Sequence, residues 1–478
     1  MELRQLVDSV LLPGFLGTTP PDWVRRRIAE GLGGVVLFAR NVVDDSQVAA
    51  LTETLRAERP DVVVGIDEEG GDVTRLDAAT GSLVPGSLAL GVADDVAMTS
   101  AVAAALGARL AACGVTVDLA PSADLTLTPD DPIIGVRAFG SDPHRAAAHV
   151  AAYVSGMQSA GIAACAKHFP GHGASTVDSH HTLPVLPRTE RQLWETELVP
   201  FRAAVGAGVR SIMSGHLVVP DWGPEPATTN RHALTEVLRN QLGFTGAVIT
   251  DALEMGAVAG TSGIAEGAIQ ALVAGADLLC VGGELADSDV VDQLAAAIIA
   301  AVRSGVLPEE RLVSAAARAR SLGGPVSPSG AWDPALGMLA ARRALRVTGT
   351  PTLNAPPLVI DVEVAPTIAA GPVPWGLGPH LAQLVPGTEV VRSSGELPPV
   401  SSDRPVVVVT RDAHRHPEAR DLVLSLTKIG LDLVHVETGV PGPDLGSAAR
   451  IDTHGGSYVS LRAAAELLAA HAAGEDSR

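Results

Sequence analysis

The sequence predicts an α/β protein with a (β/α)8 TIM-type barrel followed by a smaller C-terminal α/β domain. Three observations carry that prediction. From about residue 10 to residue 285, short β-branched apolar runs alternate with longer Ala- and Leu-rich stretches of helical period, the pattern of successive βαβ units and a parallel sheet. Eight such runs occur, the number a closed barrel of this type requires. Polar residues with chemical potential fall at or just after the C-terminal ends of the runs, which form the active-site face of such a barrel.

Taken in order, the runs cover residues 11–17, 34–39, 62–67, 116–121, 163–169, 211–216, 247–251 and 276–281. Helical patterns lie between them, among them 45–58, 95–113, 143–160, 190–207 and 234–242. An open, doubly wound sheet is the alternative, but it normally has fewer strands and needs a Gly-rich phosphate turn, which the sequence does not provide. Further helices are expected at 290–303 and 308–321, then Pro/Gly/Ser-rich stretches around 323–330 and 348–357. Apolar runs resume at 358–362, 389–392, 406–410 and 433–436, with helical patterns at 418–429 and 461–471. The expected division is therefore a barrel domain over 1–345 and an α/β domain over 346–478, near the usual domain size. The second domain is poor in motifs and is read as a packing or lid element.

Composition narrows the function classes. With 478 residues, 46% of them hydrophobic and 18% charged, the chain has the apolar material for a packed interior. A formal charge of −20 repels phosphate backbones and anionic lipid, so nucleic acid and membrane surfaces are not the expected partners; a small or neutral ligand is. Five Trp, two Tyr and six Phe are too few to line a long polymer groove with stacking platforms. The three cysteines, Cys113, Cys165 and Cys280, are far apart in apolar stretches and read as core residues in a reducing compartment. The acidic N-terminal segment lacks the features of a signal peptide, and no run reaches the roughly 18 apolar residues of a membrane span. A cytoplasmic location is expected. Nothing in the sequence fixes an oligomeric state.

The cationic side chains are almost all arginine, with lysine only at Lys167 and Lys428. Lys167 opens the densest polar cluster, residues 167–181, which holds four of the 14 histidines: His168, His172, His180 and His181. Pro170, Gly171 and Gly173 end the strand and free the chain to loop over the mouth of the barrel, where it can carry a proton donor to a substrate and withdraw. Asp178 and His180 stand two apart, so the carboxylate can orient the ring and stabilise its protonated form. An imidazole with an ordinary pKa near 6.5 serves as acid and then base near neutrality. The same residue types would suit a zinc hydrolase, but Lys167 beside His168 would repel a cation and no HxH pair marks an early strand, so neither a metal nor another cofactor is expected. Asp251 ends its strand pointing into the mouth, as a nucleophile or a salt-bridge partner. Asp67, Arg75 and Arg137 are candidate contacts to ligand hydroxyls or rim salt bridges.

Four blocks in order, IDEEGGDVTRL (66–76), IIGVRAFGSDP (133–143), AKHFPGHGASTVDSHHTLP (166–184) and GFTGAVITDALEMGA (243–257), resemble family 3 glycoside hydrolases of the β-N-acetylglucosaminidase branch. The resemblance implies a retaining exo-hydrolase that releases terminal β-linked N-acetylglucosamine from small glycosides. It makes Asp251 the nucleophile and His180, paired with Asp178, the acid/base. Asp67, Arg75, Arg137, Lys167 and His168 then match positions that hold the hydroxyls of the terminal sugar. Glu68 replaces a more usual Gln, and Asp72 stands where a basic residue is common, which bears on the aglycone. Three other readings remain. A metal-dependent barrel hydrolase would lose activity to chelation, a phosphorylase of the same family would need phosphate, and a non-catalytic sugar-binding protein would show no turnover.

Overall fold

The computed structural model describes residues 2–179, 181–260, 262–283, 285–374, 376–401 and 403–472. The chain forms two compact units, one of residues 1–69, 99–134 and 141–332, the other of residues 70–98, 135–140 and 333–478.

In the first unit, β1 (Leu11–Pro13), β2 (Gly34–Leu37), β3 (Val63–Ile66), β4 (Val117–Asp118), β5 (Ala163–Phe169), β6 (Ser211–Ser214), β7 (Ala247–Thr250) and β8 (Leu279–Val281) are the eight expected runs, most of them shorter than read. Strands β2 to β7 form one parallel sheet in sequence order, and β1 pairs in parallel with β8. A parallel bridge between Ile249 and Leu278, with Thr250 N donating to Leu278 O at 3.0 Å, carries the pairing from β7 to the residue before β8. The sheet curls around a single core. Leu12, Val36, Val63, Val117, Cys165, Met213, Ile249 and Cys280, from all eight strands, belong to one buried cluster.

The helices begin where short polar side chains satisfy the first free N–H groups. Asp44 accepts from Gln47 N ahead of the helix Asp45–Glu58, and Asp142 accepts from His144 N and Arg145 N, with Pro143 at the first helical position. The stretch expected to be one helix over 190–207 is two, Glu190–Glu195 and Leu198–Gly206, because the chain breaks at Thr196 to bury the Glu197 carboxylate against Arg188. The helix expected at 234–242 is His232–Gln241 and is π-wound, with Leu242 N reaching Val237 O at 2.9 Å.

The second unit is a six-stranded sheet of β9 (Arg346–Gly349), β10 (Leu358–Val362), β11 (Glu389–Ser393), β12 (Val406–Thr410), β13 (Leu433–Glu437) and β14 (Ala449–Asp452), in the order β11-β10-β12-β13-β14-β9. Every pairing is parallel except β14 with β9. Val359, Val407 and Val434 pack with Leu381 and Leu461, while Ile360, Val406 and Val408 pack with Leu422 and Val423. Coverage of both faces explains why these strands read as unbroken apolar runs.

Several features of this unit depart from the sequence reading, among them β14 (Ala449–Asp452), where no apolar run was read. The stretch around 348–357 overlaps β9, whose four residues are all exposed on the sheet edge and so leave no apolar signature. The helix Pro334–Ala344 and residues 70–98 and 135–140 belong to this unit rather than to the one that carries β1 to β8, because long-range packing, not sequence proximity, groups them.

Candidate active site

Side chains on a strand alternate between faces, so the residues that share a parity with the core continue along the same side. Lys167 lies two residues beyond Cys165, Asp251 two beyond Ile249 and Asp67 four beyond Val63. The alternation that buries valine and isoleucine at the start of each strand thus presents ionisable groups at its C-terminal end. Burial of Cys280 pushes its thiol well above the usual range, and the nearby carboxylates of Glu254, Asp251 and Asp67 push it further. Acids from the ends of β7 and β3 thus act on one buried sulfur, with Lys167 opposing them.

Lys167 is 2% exposed, and its ammonium lies 2.6 Å from Asp67 Oδ1 and 2.8 Å from Glu69 Oε1. Two carboxylates against one cation offset the desolvation of a charge that burial alone would not tolerate. Glu69 was not among the residues singled out from sequence. Below this group, Asp118 accepts from Glu68 N at 3.0 Å. Burial pushes its carboxyl well above the usual carboxylate range; the Glu68 N–H opposes that, the Glu68 charge adds to it and Lys167 opposes it.

His168 is held by Asp124, which sequence reasoning also missed. Asp124 Oδ2 lies 2.7 Å from His168 Nδ1, and the carboxylate further accepts from His172 N at 2.7 Å and Ser122 Oγ at 3.1 Å. Burial pushes this acid up, but the His168 ring, His172 and these hydrogen bonds together hold it below its ordinary value. A carboxylate on Nδ1 fixes the ring's orientation and gives Nε2 the acceptor role in the neutral form. Gly215 keeps this position open, since a Cβ there would lie 3.2 Å from His168 Cβ.

Asp251 follows β7 directly and is half-buried. Its amide donates to Ser214 O at 3.1 Å and its Oδ1 accepts from Ala252 N at 2.8 Å. His216, past β6, steadies the same turn through Ala252 O at 3.0 Å, its other ring nitrogen 2.8 Å from Thr228 Oγ1.

The loop after β5 is seated tightly at its start, because a Cβ on Gly173 would fall 1.6 Å from Leu125 O. His172 Nε2 lies 3.1 Å from Ser179 Oγ, and Asp178, half-buried, accepts from His181 N and Thr182 N through its carbonyl. His180 lies outside the described residues. Arg75 and Arg137, read from sequence as barrel residues, belong to the second unit, where Arg75 donates to Ala369 O at 3.0 Å and Arg137 ends the short helix Gly135–Arg137.

The two departures from the family pattern are both buried. Glu68 is fully enclosed, and the Asp72 carboxylate pairs with the Arg411 guanidinium while accepting from Gly456 N at 2.8 Å. Among the described residues no group of three His, Cys, Asp or Glu side chains is placed to hold a metal ion, and no helix is long and apolar enough to cross a membrane.

A curled parallel sheet whose strand ends gather an aspartate nucleophile candidate, a buried Lys–carboxylate cluster and a carboxylate-held histidine has the character of a glycoside hydrolase. The model of the glycosyl hydrolase family 3 N-terminal domain matches residues 20–322. The chain belongs to glycoside hydrolase family 3. A β-hexosaminidase from Thiobacillus denitrificans is 40% identical over 289 residues, covering 58% of this chain and 79% of its own. One from Xylella fastidiosa is 37% identical over 323 residues, covering 64% and 94%. The structure of a family 3 β-N-acetylglucosaminidase from Paenibacillus sp. superposes with a TM-score of 0.86 at 30% identity, over 98% of this chain and 97% of that one.

Proposed function

We propose that the chain is a retaining exo-β-N-acetylhexosaminidase acting in the cytoplasm on small glycosides such as cell-wall or chitin fragments. Asp251 is the nucleophile, and His180, oriented by Asp178, is the acid/base. The parallel sheet and the β1–β8 pair are taken as arcs of one (β/α)8 barrel, with 1–345 as the catalytic segment and 346–478 as the second.

In the first step an Asp251 carboxylate oxygen attacks the anomeric carbon. The bond to the leaving oxygen breaks, and that oxygen takes the His180 proton. In the second step His180 removes a proton from water, whose oxygen displaces Asp251 from the anomeric carbon, so both groups return to their starting state. Asp178 stabilises the imidazolium before the first step and after the second. A histidine acid avoids a second anion beside the nucleophile. Asp67, Lys167 and His168 hold hydroxyls of the terminal sugar, and the family resemblance gives Arg75 and Arg137 the same task.

The placement of Asp251 on the same strand parity as Asp67 and Lys167, at the ends of the alternate strands β7, β3 and β5 of one parallel sheet, supports this reading. Two measurements test it. A chromogenic β-N-acetylglucosaminide should be cleaved far faster than the matching β-glucoside; equal rates would overturn the specificity. Asp251→Ala should lower turnover on the order of 10⁴-fold or more while leaving the circular-dichroism spectrum and melting curve unchanged, as expected when a nucleophile is removed. Wild-type activity in that variant would remove Asp251 from the mechanism.

A further inference from the structure

The second sheet reverses its winding between β10 and β12. From β10 the chain crosses to β11 on one side, then returns to β12 on the other and continues through β13 to β14. In open α/β sheets the crevice outside the carboxyl ends of the strands, at such a reversal, is where ligands bind. A cavity of about 460 Å³ lies there in this protein, lined by the ends of β10 and β12 and by residues of the segment that follows β10. That volume falls within the roughly 300–1,000 Å³ of small-molecule sites.

The walls specify the chemistry. Asp361, Glu363, Arg392 and Arg411 bring two carboxylates and two guanidinium groups to the cavity, and each already faces a partner. Glu363 lies 3.7 Å from Arg392, Arg411 pairs with Asp72, and Asp361 accepts from Leu377 N and Gly378 N. A phosphate or a carboxylate entering here would have to displace an existing counter-charge. A neutral group would not. The Thr438 hydroxyl donates to Thr410 O, which leaves its oxygen lone pairs for an incoming donor, while Thr410 is held inside the protein between Glu437 and the His435 ring. Val373 and Pro374 supply an apolar stretch of wall.

We infer that this crevice is a second ligand site, which takes a neutral polyhydroxylated molecule of monosaccharide size, its hydroxyls bridging the carboxylates and guanidinium groups and an apolar ring face lying on Val373 and Pro374. The inference does not rest on the activity assigned to Asp251 and His180.

Hydrogen exchange of the full chain, read by mass spectrometry with millimolar N-acetylglucosamine, glucose or inorganic phosphate, tests it. Either sugar should slow exchange several-fold in peptides covering 361–374 and 406–411. The double variant Glu363→Gln/Arg392→Ala, both exposed side chains whose loss leaves the fold intact, should abolish that protection and keep hydrolysis at the wild-type rate. Protection of barrel peptides around 163–179 reports the active site separately. No sugar protection in the second unit, protection by phosphate alone, or equal protection in the variant would each overturn the inference.

Discussion

At the scale of single residues, the site depends on charges kept out of water in compensating sets. Lys167 is nearly inaccessible, and Glu69 beside it has a side chain only 3% exposed. Removing one member leaves the others buried without a counter-charge, which typically costs about 3–5 kcal/mol. Lys167→Met, close in length but uncharged, should therefore lower the denaturation free energy by about that amount and reduce kcat/KM; urea unfolding monitored beside turnover checks both. A stability unchanged from wild type would mean that Asp67 and Glu69 take up protons or solvent and do not need the ammonium. Asp124 works by the same logic in reverse: one buried carboxylate collects enough donors to remain ionised, and in doing so aims His168.

At the scale of elements, the loop after β5, which holds the proposed acid/base residues, is fixed at one end by a glycine. Gly173 touches Leu125 O so closely that any side chain must move the backbone. Gly173→Ala should displace the loop after β5, cutting kcat at least ten-fold, and should cost about 1–3 kcal/mol, the usual range for overpacking. Steady-state kinetics with a thermal melt distinguishes this outcome from global unfolding. Asp72 illustrates how an element is tied down at its other end: its ion pair with Arg411 and its bond from Gly456 N bind residues 70–98 into the second unit. A position that in sequence looked like a change of aglycone preference is thus occupied by a structural contact.

At the scale of the whole molecule, the second unit sets a limit on acid tolerance. Burial pushes His435 down to about 3 and His454 down to about 4, from ordinary values near 6.5. Both rings stay neutral in the folded state while the unfolded chain takes up protons below pH 6.5, so their contribution to stability is lost as the pH falls from there toward 4. Asp361 acts in the opposite sense. Burial raises its carboxyl to about 6, so the folded state holds that proton longer and its contribution declines as the pH rises from 4 through 6. Glu437, also raised by burial, acts in the same sense as Asp361, and His380 and His416, also lowered, act with the two rings. The contribution of His435 alone should fall by roughly 2 kcal/mol between pH 7 and pH 5. His435→Gln should flatten the slope in guanidinium titrations at the two pH values, and an unchanged slope would exclude that ring as the source.

Much of this was legible without coordinates. The alternation of apolar runs and helical patterns located all eight strand segments of the first unit, since a parallel sheet covered on both faces writes itself as continuous β-branched residues. The phase of Asp67, Lys167, His168 and Asp251 at the ends of those runs located the candidate site, because a two-residue period is a property of the local chain. Other features had no local trace. Glu69 and Asp124 acquire their roles only when strands distant in sequence lie side by side, and the strand Arg346–Gly349, exposed on both faces, carries no burial signal. The sequence by itself determined the strand segments of the first unit, the chemistry available at their ends and the family. Tertiary structure alone decided which carboxylate neutralises which cation, and to which unit residues 70–98 belong, because ion pairing and packing depend on proximity in space, which local residue patterns do not encode.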